Sequence, residues 1–141
     1  MSKSKKCERA LKLLARSLST VMDMNLDGII IGDLNGYIIE VNEAIVRMSG
    51  SASKEDFVGK HVLDFLVEVD RNRATRDSLD LIFSGQGKTS EYSVISKSGQ
   101  TIPLEVTIAF IRDAQGKKIG FIDVVRNLSN SKKNDEELKK N

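Results

Sequence analysis

The chain has a single histidine, His61, and a single cysteine, Cys7, which narrows the triad, thiol and metal chemistry it could carry. His61 would have to be the base of any catalytic triad. No glycine-framed serine elbow, HExxH or phosphate-cradling GxxxxGK(S/T) accompanies it. With Asp64 it supplies two metal ligands at most, too few for a stable site. Cys7 stands alone, so neither an intrachain disulfide nor a cysteine-based zinc site can form, and a reducing compartment follows. The phosphoacceptor and ATP-binding sequences of a histidine kinase are also missing. The expectation is that the chain is not an enzyme. A different kind of chemistry remains at Asp123. In IGFIDVVRN, strand alternation puts Phe121, Asp123 and Val125 on one face and Ile122, Val124 and Arg126 on the other. If the first face is interior, the carboxylate must be paired, protonated or in contact with a polar ligand or water, because burying it alone is costly.

The elements that would position these residues read as α+β. From Lys5 to Met24, apolar residues at Cys7, Leu11, Leu14, Leu18 and Val21 alternate steps of four and three, the spacing of an amphipathic helix with a coiled-coil seam. GIIIGD, the turn DLNG and YIIEV form a hairpin. Asn42 to Leu66 reads as short helical pieces broken by Gly50 and Gly59, with Asn42 and Ser53 as N-caps. A longer helix follows, capped by Asp70, with apolar positions at Ala74, Leu79, Ile82 and Phe83 and a stop at Gly85 and Gly87. Three β-rich runs then form a meander, with Pro103 near an edge or a strand start.

A length of 141 residues suits one domain, and 40% hydrophobic with 30% charged residues is the balance of a globular protein with one core. The net charge of +2 leaves no domain-wide field for a polyanion, so no nucleic-acid partner is expected. The lysines at Lys3, Lys5, Lys6, Lys132, Lys133, Lys139 and Lys140 read as solvated tails. The longest apolar run is far short of the roughly 20 residues of a membrane span, and MSKSKKCERA lacks a signal-peptide core. A cytoplasmic location without membrane association is expected.

In sequence order, DGIIIGDLNGYIIEVN, the MSG at Met48 to Gly50, SKEDFVGKHVLDFL, VDRNR and SEYSVISKSGQTIPLEVTIAFIRDAQGKKIGFIDVVRN resemble the PAS domain family over roughly Asp23 to Ser129. Members serve as sensory modules of bacterial or archaeal signal-transduction proteins. The resemblance implies a five-stranded antiparallel sheet of order 2-1-5-4-3 with helices over one face. Here an amphipathic N-terminal helix precedes it. The implied division is a dimerisation helix over 1–24, a core over 25–128, and a polar tail or start of a signalling helix over 129–141.

The same resemblance implies a pocket between sheet and helices, to which Asp123, Phe121, Val125, Tyr92, Val94, Val106, Ile108, Ile30 and Phe65 would contribute. An Asp123 bonded to Tyr92 or a backbone amide is the structural alternative. Light-sensing relatives need a cysteine where this chain reads FVGKHVLDF, and haem-binding relatives carry the iron-ligating histidine at the position matching Ala74. Covalent flavin and haem are therefore not expected, and the cofactor is unassigned. Relatives often end the last strand with an acidic residue where this chain has Asn127, which argues against strong downstream coupling. The implied function is a sensor that binds a small molecule and signals by rearrangement of a homodimer, through Leu11, Leu14, Leu18 and Val21, to an output domain or a partner such as a histidine kinase. A ligand-free dimerisation and protein-interaction module is the alternative.

Overall fold

The computed structural model describes residues 3–24, 26–84 and 88–129, without the side chains of residues 3–8, 19–20, 82–84 and 88. Expectations at Gly85, Gly87 and the tail from residue 130 lie outside the described residues, and those at Cys7, Ile82, Phe83, Lys3, Lys5 and Lys6 fall on side chains that are not described.

Helix α1 (Lys3–Met24) leads into a hairpin of β1 (Gly28–Gly32) and β2 (Ile38–Val41). Helix α2 (Glu43–Ser49), two 3-10 turns (Lys54–Asp56 and Val62–Phe65) and helix α3 (Glu68–Ser84) follow. A meander of β3 (Lys88–Ile95), β4 (Thr101–Arg112) and β5 (Lys118–Asn127) completes the sheet. The strand order is β2-β1-β5-β4-β3 with every pair antiparallel, as the resemblance implied. Hairpin and meander each close locally. Pairing β1 with β5 joins them and makes β5 the central strand. Pro103 sits near the start of β4, and its carbonyl accepts from Leu128.

At β1 both faces of the sheet are covered, which is why this strand is a run of three isoleucines and not an alternating one. Ile30 turns toward α2, the turns and α3, in a cluster with Ile45, Phe57, Leu104 and Val125. Ile29 and Ile31 turn the other way and pack with Leu11, Ala15 and Met22 of α1. Gly120 permits this approach, since a Cβ there would lie 2.8 Å from Leu11.

This packing divides the apolar stripe of α1, whose spacing also suited packing on its own domain. Leu11, expected in a dimer seam, is 0% exposed within its own domain, whereas Leu14, Leu18 and Val21 remain 38, 39 and 64% exposed. The helix buries a stripe of Leu11, Ala15 and Met22 and leaves an adjacent apolar stripe open. Apolar spacing cannot tell two overlapping arcs apart when a small residue such as Ala15 belongs to the buried one.

Asn42 fastens three elements together. It is wholly buried, and its Oδ1 accepts from Ile29 and Ile45 amides at 2.9 and 3.3 Å, while its Nδ2 donates to the carbonyls of Met22 and Asp27 at 2.8 and 2.9 Å. All four bonding positions of the amide are used. Asp23 adds to the joint, accepting from the Glu43 amide and pairing with Lys54.

Other caps differ from expectation. Ser53 makes no capping bond; the Ala52 amide instead donates to Asp56. Asp70 lies inside the first turn of α3, where it accepts from the Ser93 amide at 2.7 Å and pairs with Arg73. Leu79 is 48% exposed, and among the described side chains of α3 the buried ones are Ala74, Asp77 and Leu81. Helix α3 is thus held to β3 partly by polar groups: Asp70 to Ser93, Arg73 to the Glu91 carbonyl, and Asp77 to the Tyr92 hydroxyl.

Candidate functional site

Between the sheet and the helical layer lie two adjoining cavities, of about 120 and 180 Å³. Asp123, Ser78, Ile108, Val62 and Leu63 line both, so the Asp123 carboxylate stands where the chambers meet. Eight of the nine residues expected at a pocket line the first chamber. Ile30, Ile108, Asp123 and Val125 come from the three inner strands, and Tyr92, Val94, Val106 and Phe65 complete the wall. Phe121 lines the second chamber only.

The register explains the setting of Asp123. On β5 it pairs with Ile30 of β1 and Ile108 of β4, and its neighbours along the same face are Phe121 and Val125. An acid is therefore set in the middle of an apolar patch, 5% exposed, with Oδ1 lacking any hydrogen-bond partner. Burial pushes its pKa from 3.8 up to about 7. The expected alternative partner is taken elsewhere. Tyr92 donates its hydroxyl to Asp77 and lies under the Arg73 guanidinium, 4.6 Å from the ring centre. Burial, reinforced by Asp77, pushes the Tyr92 phenol above its ordinary range.

His61 lines the second chamber, although both ring nitrogens are occupied by the backbone. Nδ1 accepts from the Leu63 amide at 3.2 Å, which assigns the proton to Nε2 and its 2.9 Å bond to the Asn35 carbonyl. It is a structural bracket for the turn before α3, packed edge-on to Tyr37. Gly36 is required beside it: φ is +93°, and a Cβ would lie 2.5 Å from Nε2. Among the described residues no group of three or more His, Cys, Asp or Glu side chains could hold a metal.

Residues not foreseen at the cavity include Ile45, Met48 and Ser49 of α2, Phe57, and Ala74 and Ser78 of α3. Their i, i+3 and i, i+4 spacings were visible in the sequence; which face of two short helices turns inward was not. Ala74 does line the first chamber, so the position matched to a haem ligand faces the cavity and offers no donor atom. Each chamber alone is smaller than the roughly 300 Å³ at which pockets for drug-sized ligands begin. The lining residues offer no haem ligand and no thiol for a covalent flavin bond. Among the described residues, no helix is long and apolar enough to cross a membrane.

A family profile described as "PAS domain" matches residues 26–130. Solved structures share the fold. The PAS domain of a protein from Colwellia psychrerythraea superposes with a TM-score of 0.73 at 22% identity, covering 83% of this chain and 98% of that one. A PAS domain from a two-component sensor histidine kinase gives 0.64 at 21% identity, over 82% and 97%. An RNA-binding light-oxygen-voltage receptor gives 0.72 at 17% identity, over 91% of this chain and 37% of that one. No curated protein sequence matches the chain significantly. A profile match over most of the chain, together with the five-stranded sheet of order β2-β1-β5-β4-β3, shows that this chain belongs to the PAS domain family.

Proposed function

We propose that this domain is a non-enzymatic sensor that binds a compact small molecule in the cavities beside Asp123 and passes the bound state to helix α1. The observation that carries this reading is Asp123 itself: a buried carboxylate oxygen without a partner, turned into an otherwise apolar cavity. Such an atom costs folding free energy unless something supplies the missing bond. A route outward supports the second half of the reading. Ile45, Met48 and Ser49 of α2 line the first chamber, while Asn42 and the Glu43 amide at the start of α2 are bonded to Met22 and Asp23 at the end of α1. A shift of α2 on ligand binding would therefore be felt at α1.

The partner for α1 is a second copy of this chain, through the exposed stripe of Leu14, Leu18 and Val21, and the output is a partner such as a histidine kinase. The likeness to a domain from a sensor histidine kinase supports that class of output. The same exposed stripe favours a second reading, a ligand-free dimerisation module. A nuclear magnetic resonance screen of compact apolar molecules separates the two. Under the sensor reading, hits move the amides of Ile30, Ile108 and Asp123 and then those of α2. A panel that moves none of them, on a protein that is dimeric through α1, favours the second reading.

A further inference from the structure

The hydrogen-bond directions at the cavity wall restrict what the ligand can be. Ser78 gives its hydroxyl hydrogen to the Ala74 carbonyl, Ser49 to the Val46 carbonyl, Thr75 to the Arg71 carbonyl and Tyr92 to Asp77. The His61 N–H is committed to the Asn35 carbonyl. Each hydroxyl and the imidazole thus spends its hydrogen on the protein. What the side chains of the first chamber present is lone pairs, together with the unpartnered oxygen of Asp123, whereas the second chamber also has the exposed Asn35 amide at its rim. Once Asp123 is ionised, above about pH 7, a ligand in the first chamber must bring the hydrogens.

We propose that the ligand is a compact apolar amine, its ammonium group bonded to Asp123 where the two chambers meet and its hydrocarbon body among the apolar side chains of the first. This rests on the sensor reading above and adds the ligand's chemical class. An ammonium group offers three donors, one for the carboxylate and others for hydroxyl lone pairs such as that of Ser78, which lines both chambers. Its charge is balanced by Asp123, and the rings of Phe57, Phe65 and Tyr92 on the first chamber's wall favour a cation. A cavity of about 120 Å³ is close to one that admits benzene, which sets the body at roughly six heavy atoms. A carboxylate ligand would face Asp123 as a like charge. A ketone or ester would find these hydroxyl hydrogens already spent.

The test uses one carbon skeleton with three head groups, isopentylamine, isopentanol and isovalerate, titrated into the full chain by nuclear magnetic resonance at pH 8 and pH 6. The amine should bind at least tenfold more tightly than the alcohol at pH 8, with isovalerate weakest. The titratable groups around the cavities are Asp123 on β5, Tyr92 on β3 and His61 before α3, with Asp77 and Arg73 of α3 behind Tyr92. Because the amine needs an ionised Asp123, its affinity should fall by roughly tenfold for each pH unit below about 7. Asp123→Asn, which keeps the shape, should weaken the amine by roughly ten- to hundredfold and change the alcohol little. An alcohol that equals the amine, or an amine unaffected by Asp123→Asn, refutes the amine class and leaves the pocket reading standing. Should none of the three move the amides around Asp123, the pocket reading falls with it. If Asp123→Asn does not fold, the wild-type ranking and its pH dependence decide.

Discussion

Replacing Asp123 by asparagine should remove a pH dependence from the stability of the empty domain. In the folded chain the acid holds its proton up to about pH 7, whereas an unperturbed carboxyl gives it up near 3.8. Below 3.8 both states are protonated, and the side chain contributes no slope. Between the two values the folded state binds one proton more than the unfolded state, so stability falls as pH rises and levels off above about 7. The window spans about three pH units at 1.36 kcal/mol each, so the wild type should lose about 4 kcal/mol between pH 4 and pH 8 through this one group. Urea denaturation of wild type and Asp123→Asn across pH 4 to 8 measures it, because the difference between the two curves cancels groups independent of residue 123. The variant should gain on the wild type by roughly 1.4 kcal/mol per pH unit in the middle of the window. A difference that stays constant across the range would show that Asp123 is ionised and satisfied in the folded state, and would remove the basis for treating it as a ligand anchor.

Leu11→Ala should lower stability by about 3 kcal/mol in urea melts, since it opens a hole between α1 and the outer face of the sheet. The pair Leu14→Lys with Leu18→Lys should leave monomer stability within about 0.5 kcal/mol and dissociate the dimer in sedimentation equilibrium; unchanged association would move the interface off α1. Asn42→Ala should cost about 3 kcal/mol and speed hydrogen exchange at Ile29 and Ile45, which both lose an acceptor. Asp70→Ala should cost about 1 to 3 kcal/mol by leaving the Ser93 amide unpaired, with faster exchange along α3 than in β4 or β5.

Much of this architecture was legible because its signals are local. Three isoleucines between glycines in β1, the turn glycines and the alternation in IGFIDVVRN each report a backbone preference or a face that the fold then uses. Asp123 was legible for the same reason: on a strand, parity alone decides which side a residue takes. Helices gave less. Leu11 and Leu14 share an apolar arc in the sequence, and only the distance to Gly120 and Ile31 makes one core and the other surface. The bracket at His61 and the bond from Tyr92 to Asp77 join residues far apart in the chain, so no spacing announces them. Of the hydroxyl bonds at the cavity wall, only that from Tyr92 to Asp77 needs α3 laid over β3; Ser49, Thr75 and Ser78 bond to carbonyls three or four residues back in their own helices.

If the cavity beside Asp123 holds a small molecule in a domain paired through α1, native mass spectrometry of the gently purified full chain should show both features at once. The expected species is a dimer in which each copy carries one compact adduct, with the adduct lost in Asp123→Leu while the dimer remains. A bare chain, or an adduct that persists in Asp123→Leu, would contradict the sensor reading.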